Sequence, residues 1–362
     1  MEHIETILAQ LGNKTDPTTG AISAPIHLSA TYAHPGLGAS TGYDYTRTKN
    51  PTRAVLEEGL AELEKGTHAV ATSSGMSAIQ LAFQLFEPGA KILACRDLYG
   101  GSYRYFDELE KHGYLKFVYY NTEEEFDNLI NETFDGVFVE SPTNPLMEVY
   151  DIEAIAKKSK EAGAILIVDN TLLTPLRQRP LELGAQIVVH SGTKFLTGHN
   201  DILAGVVVTN EEELGERLLW LSNTTGPTLS PFDSWLFIRS LKTLPLRFNQ
   251  QEQNAKEIVT FLEKHPKVGK VLYAGEGAMI SFYLESESQV GPLLESLNII
   301  TYAESLGGVE TLMTYPTTQT HADIPKELRE SYGLTPNLLR IAVGIEDSRD
   351  LIDDLNQALE KI

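Results

Sequence analysis

The chain has one cysteine, Cys95, in 362 residues, so an internal disulfide is excluded. Its setting in the apolar run Lys91-Ile92-Leu93-Ala94-Cys95 predicts a core side chain rather than a nucleophile. No apolar run approaches the roughly 18 residues that a membrane span needs. The start, Met1-Glu2-His3-Ile4-Glu5-Thr6, lacks a basic segment followed by an apolar one, which predicts a cytoplasmic protein. Basic residues are also scarce: 29 Lys and Arg stand against 50 Asp and Glu, for a net charge of -21. A field of that sign repels nucleic acid and anionic lipid, so neither is expected as a partner. The nine histidines show no paired spacing with each other or with cysteine of the kind that holds a metal, and no metal is expected.

What is present is an alternation. Apolar runs at Lys91 to Cys95, Phe117 to Tyr120, Gly136 to Glu140, Ile165 to Asp169, Ile187 to His190 and Gly205 to Val208 read as buried strands. Helical stretches at Ser77 to Phe86, Glu123 to Ile130 and Ile152 to Ala162 separate them. Continuous apolar strands with helices between them predict an α/β fold, a mostly parallel central sheet with helices on both faces. Ahead of it, residues 1–60 are punctuated by Pro17, Pro25, Pro35-Gly36 and Asn50-Pro51, with one helical stretch from Arg53 to Lys65. A long irregular segment in a compact protein tends to pack on a partner, and this one reads as an arm wrapping a neighbouring subunit. The large domain is expected over residues 61–235. A long helical region, Glu211 to Leu219 and then Pro231 to Leu262 interrupted near Pro245, leads into short strands and helices, and residues 236–362 are expected to form a smaller C-terminal α+β domain.

The most informative segment is Val188-Val189-His190-Ser191-Gly192-Thr193-Lys194, where Lys194 lies twenty-five residues beyond Asp169. Open α/β sheets bind ligands at the C-terminal ends of their strands. One strand delivers a carboxylate there, and the other delivers two hydroxyls and an amine. The amine can form a Schiff base with an aldehyde cofactor, Ser191 and Thr193 can hold its phosphate, and Asp169 can keep a pyridine nitrogen protonated. A lone Asp after a strand is often a helix cap and a lone Lys is usually solvated, but the ordered combination points to pyridoxal 5'-phosphate. Ser73-Ser74-Gly75-Met76-Ser77-Ala78 opens a helix whose first N–H groups suit a phosphate, a role compatible with Ser73 or Ser74 acting as N-cap. Tyr99, after the strand ending at Cys95, is placed to stack on a cofactor ring. Asn144, in Glu140-Ser141-Pro142-Thr143-Asn144-Pro145, is placed to bond a cofactor oxygen.

The segments Tyr45-x-Arg47-x-x-Asn50-Pro51-Thr52, Ser74-Gly75-Met76, Asp97-Leu98-Tyr99-Gly100-Gly101, Glu140 to Pro145, Val168-Asp169-Asn170-Thr171, Ser191-x-Thr193-Lys194 and Ser305-Leu306-Gly307-Gly308-x-Glu310 follow one another in the order found in the Cys/Met-metabolism family of fold type I pyridoxal phosphate enzymes. The chain resembles that family nearly end to end. The resemblance implies that Lys194 bonds the cofactor, Asp169 meets its ring nitrogen and Tyr99 stacks on its ring. It implies that Ser191, Thr193 and the N–H groups of Gly75 and Met76 hold the phosphate, with Tyr45 and Arg47 reaching it from an adjacent subunit. Arg340 would take the α-carboxylate of an amino-acid substrate, helped by Ser305. Glu304 is similar to the acidic group that meets the distal ammonium of cysteine or cystathionine.

The chain departs from the family where Leu172 and Leu173 replace an aromatic, and where Asn200 stands for Ser in Gly198-His199-Asn200-Asp201. That run and Thr314-Tyr315-Pro316 to Pro325 look most like the firmicute-type cystathionine γ-synthase/O-acetylhomoserine thiolyase branch. The resemblance implies a homo-oligomer, a tetramer built as a dimer of dimers. It implies γ-replacement on an O-acyl-homoserine, with cystathionine β-lyase and γ-lyase as alternatives and methionine γ-lyase disfavoured by the acid at 304. A non-catalytic regulator that binds pyridoxal phosphate is the reading of a different class, and it predicts a missing lysine or an added DNA-binding segment.

Overall fold

A computed structural model describes residues 3–131 and 133–362. Twelve strands are formed among them: β1 His68–Thr72, β2 Lys91–Cys95, β3 Lys116–Tyr120, β4 Gly136–Glu140, β5 Ile165–Asp169, β6 Ile187–Ser191, β7 Gly205–Thr209, β8 Val268–Leu272, β9 Met279–Leu284, β10 Thr301–Tyr302, β11 Leu312–Thr314 and β12 Leu338–Ala342. The chain packs as two units. One comprises residues 1–87 and 165–245, the other residues 88–164 and 246–362.

In the first unit the strands run in the order β1-β7-β6-β5. β5 and β6 are parallel, with Val168 opposite Val188 and Asp169 opposite Val189. β7 is antiparallel to both β6 and β1. β7 is buried along its whole length and β6 in all but its last residue, which explains why their valines and isoleucines show no apolar/polar alternation. The arm ends in the helix Pro51–Glu64, and its start is over-determined: Asn50 Oδ1 accepts the N–H groups of Thr52 and Arg53, and Pro51 sits where no intrahelical donor is required. The arm also contains the helix Ile4–Gln10, which its lack of cap residues hid in the sequence.

The second unit contains the parallel run β4-β2-β3 and a five-stranded sheet ordered β10-β11-β12-β9-β8. β12 is central there, antiparallel to both β11 and β9, and buried throughout. Asp354 ties this sheet to the last helix, Ser348–Leu359, by accepting the backbone N–H groups of Asn298, Ile299 and Ile300 at 2.8 to 2.9 Å. Cys95 is buried as expected, and its sulfur accepts the Glu140 N–H at 3.3 Å.

The expected strands and helices are present, most within one to three residues at their ends, while the helix expected over Glu211 to Leu219 runs on to Thr225. β1 and the helix Gly100–Lys111 were not expected. β1 carries two alanines in five residues and so offers a weak β signal, while the helix begins on Gly100-Gly101, which reads as a turn. Among the described residues no helix is long and apolar enough to cross a membrane.

Candidate active site

Asp169 ends β5, and Ser191 ends β6 beside it. One hydrogen-bond chain joins them: the Ser191 N–H donates to Thr171 Oγ1 at 2.8 Å, and Thr171 donates its hydroxyl to Asp169 Oδ1 at 2.5 Å and its N–H to the same oxygen at 3.0 Å. Thr171 thus fixes the two residues that the sequence assigns to the cofactor's nitrogen and phosphate. Burial pushes the Asp169 carboxyl up from its ordinary range, against the Thr171 hydrogen bonds and the field of His190. A carboxylate so desolvated favours a cationic partner, and a pyridinium nitrogen is one.

The phosphate side is built from the first turn of the helix Gly75–Phe83, whose N-cap, Ser74, accepts the Ser77 N–H. A side chain on Gly75 would place its Cβ 2.8 Å from Ser191 Cβ and 2.9 Å from its Oγ. Only glycine lets the Ser191 hydroxyl come this close to a helix N-terminus, the arrangement that binds phosphate. These residues therefore fit pyridoxal 5'-phosphate, with Gly75, Met76 and Ser191 toward the phosphate and Asp169 toward the ring nitrogen. Lys194 follows on the turn after β6, partly buried, its N–H bonded to the Ser191 carbonyl at 3.2 Å. Thr193 is engaged otherwise: its Oγ1 donates to the Ala204 carbonyl at 3.3 Å and accepts the Ala204 N–H at 3.0 Å. A phosphate contact from Thr193 requires that hydroxyl to turn. Tyr45 and Arg47 are exposed, the guanidinium 5.3 Å from the Tyr45 ring and held by Asn223 Oδ1 at 3.4 Å.

In the second unit, Tyr99 opens the helix Gly100–Lys111, with its N–H on Glu140 Oε2 at 2.9 Å. Its ring lies against Gly101, where a Cβ would come within 2.4 Å of Cε1. Arg340 lies in β12, 1% exposed. Nη1 donates to Asn144 Oδ1 at 2.9 Å, while Nη2 donates to the Ser305 carbonyl at 2.8 Å and to Thr314 Oγ1 at 3.0 Å. Its Nε is buried without a partner. Burial pushes the guanidinium down to about 10, partly offset by Tyr99, Glu140 and Glu304, so it is a cation at neutral pH. An orphaned donor on a buried cation calls for an anion, and a carboxylate matches the fork.

Asn144, expected at a cofactor oxygen, gives its side-chain oxygen to Arg340, so any such bond falls to its Nδ2. Ser305 contributes its carbonyl from a left-handed backbone conformation, φ +95, strained for a residue other than glycine. Glu304, beside it, is exposed. Sequence reasoning missed Thr314 and His321. His321 is fully buried, with Nε2 3.0 Å from the Asn144 carbonyl and Nδ1 2.8 Å from Thr320 Oγ1, and it supports the loop that holds Arg340. Its only signal was position, in the segment that set the chain's branch apart.

A parallel sheet edge carrying Asp169, a serine-lined helix N-terminus and a lysine after β6 belong to the fold type I class of pyridoxal phosphate enzymes. The family model described as "Cys/Met metabolism PLP-dependent enzyme" matches residues 5–360, and the chain belongs to that family. It is 53% identical over 361 residues to a Bacillus subtilis protein described as cystathionine gamma-synthase/O-acetylhomoserine (thiol)-lyase, covering 99% of this chain and 96% of that one. A cystathionine gamma-lyase of the same organism is 45% identical over 376 residues, covering 99% of each. Among solved structures, cystathionine gamma synthase from Xanthomonas oryzae pv. oryzae, in complex with aminoacrylate and cysteine, matches with a TM-score of 0.97 at 38% identity, covering 100% of this chain and 98% of that one. The protein is thus a pyridoxal phosphate-dependent enzyme of sulfur amino-acid metabolism, similar to both synthases and lyases.

Arg340→Lys keeps the charge but loses the fork that spans Asn144, Ser305 and Thr314. The expected outcome is a rise of about tenfold to a hundredfold in KM for the amino-acid substrate, with the cofactor's absorption spectrum unchanged. An unaltered KM in steady-state kinetics removes Arg340 from substrate binding.

Proposed function

We propose that the enzyme catalyses γ-replacement on an O-acylated homoserine, with the acetyl ester as substrate. With cysteine the product is cystathionine, and with sulfide it is homocysteine. The observation that carries this reading is the 53% identity to a relative with both of these descriptions. When bound, pyridoxal phosphate supplies an electron sink for breaking bonds at the substrate's α-carbon and beyond. Asp169 would hold the positive charge at the ring nitrogen, and Arg340 would bind the substrate α-carboxylate. Lys194, whose amine is free while substrate is bound, would take the proton from Cα and return it as the product forms. The acyl group leaves Cγ as a carboxylate with the C–O bonding electrons, and the incoming thiolate forms the Cγ–S bond. Cleavage of cystathionine is the second reading, supported by the 45% identical lyase. A non-catalytic role is disfavoured by the presence of Lys194.

Glu304 carries the distinction among thiols. Its exposed carboxylate suits the ammonium of incoming cysteine, whereas sulfide has no ammonium to meet. Glu304→Ala is expected to lower kcat/KM with cysteine by roughly tenfold to a hundredfold while leaving the sulfide reaction within about twofold. Equal losses with both thiols would reduce Glu304 to ordering the loop of Ser305. Product analysis of the unaltered enzyme with acetyl- and succinyl-homoserine decides the substrate: cleavage of cystathionine without replacement on either ester would refute the synthase reading.

We also infer that the catalytic unit is a homodimer at least, and a dimer of dimers in full. The exposure of Tyr45, Arg47, Ile22 and Leu28 on the arm supports it, since apolar side chains of this size tend to be covered by a partner. Mixing inactive Arg47→Ala and Lys194→Ala chains under conditions of subunit exchange should restore activity, because one site of each hybrid then has both groups intact. Demonstrated exchange without recovered activity rules out the shared site.

A further inference from the structure

Behind the strand ends that carry Asp169 and Ser191 lies a second pair of ionisable groups that the chemistry above does not use. Glu64 closes the helix Pro51–Glu64 and His190 precedes Ser191 in β6. Each is 1% exposed, and Glu64 Oε1 is 2.6 Å from His190 Nε2. The same oxygen accepts Asn170 Nδ2–H at 2.9 Å. Asn170 follows Asp169 directly, and its amide also exchanges hydrogen bonds with Gln178, donating to the backbone carbonyl at 2.8 Å and accepting from Nε2 at 3.2 Å. One carboxylate oxygen therefore grips the residue after Asp169 and the residue before Ser191.

Stability does not account for this pair. Glu64 Oε2 and His190 Nδ1 are both buried without a hydrogen-bond partner, and a buried polar pair left incompletely bonded costs about as much as it returns, or more. Its orientation is informative. Of the two groups, the imidazole is the one whose field acts on Asp169, and it acts to favour the carboxylate. Thr171 supplies the other support, through its hydrogen bonds to Asp169 and Ser191.

We propose that Glu64 and His190 are positioning residues for the cofactor: through Asn170 and the peptide of Ser191 they fix the two strand ends on which Asp169 and Ser191 stand. This rests on the reading that Asp169 meets the ring nitrogen. Removing the pair loosens both strand ends and takes the imidazole away from Asp169, so the position of the carboxylate against the ring changes and the titration of the bound cofactor shifts with it.

The test uses the holoenzyme and follows the pH dependence of the cofactor's visible absorption, its dissociation constant and the Tm of the protein. Glu64→Gln is expected to shift the absorption midpoint by about half a unit or more and to weaken cofactor binding about tenfold. A double Glu64→Leu/His190→Leu variant replaces the pair by apolar groups and should fold and show the same two changes. Asp169→Asn serves as the reference: a spectrum indifferent to Asp169→Asn contradicts the ring-nitrogen reading itself. If Asp169→Asn alters the spectrum while both pair variants titrate and bind like the unaltered enzyme, the positioning role is overturned. Failure of both pair variants to fold overturns it too, by making the pair a requirement of the fold.

Discussion

The constraint on which this structure turns is the burial of the Asp169 carboxylate at the end of β5. A desolvated acid is driven toward its neutral form unless hydrogen bonds and cations hold the charge. Thr171 supplies two hydrogen bonds to one of its oxygens, and the same threonine hydroxyl accepts from the Ser191 backbone. The carboxylate is thereby coupled to the neighbouring strand end, where Ser191, proposed to hold the phosphate, stands and Lys194 follows. A parallel β5–β6 pairing is what makes this coupling short: both strands finish at the same edge, so residues far apart in sequence become neighbours without a long loop.

The second unit solves the opposite problem. There the buried charge is a guanidinium, Arg340, placed in the middle of a five-stranded sheet with three oxygens around it and one nitrogen, Nε, left without a partner. None of the three is a carboxylate. The residual positive potential is what an amino acid's carboxylate would neutralise, and in a chain of net charge -21 it is a local exception to a surface that repels anions. On the proposed reading, attraction of the substrate depends on this buried cation, not on the mean field.

Much of the fold was legible because its strands are buried on both faces and so read as short continuous apolar runs. Asp169, Ser191 and Lys194 stood out because the sheet edge gathers chemistry directly after such runs. What stayed hidden depended on contacts distant in sequence. Nothing near Thr193 indicates that its hydroxyl bonds Ala204, and nothing near Asn144 indicates that its oxygen serves Arg340, 196 residues away. His190 lay inside the most informative segment of the chain, yet its partner Glu64 is 126 residues earlier. The helix Gly100–Lys111 was masked by its two opening glycines, which are required there because Thr320 and the Tyr99 ring leave no room for a Cβ.

The proposed roles of Asp169, Ser191 and Arg340 all depend on Lys194 being the residue that bonds pyridoxal phosphate. Reduction of the holoenzyme with borohydride makes that bond permanent, and peptide mapping then locates the label. A pyridoxyl group on the peptide containing Ser191-Gly192-Thr193-Lys194, at Lys194, is the predicted result. A label on any other lysine would contradict the assignment and the arrangement of Asp169 and Ser191 around it.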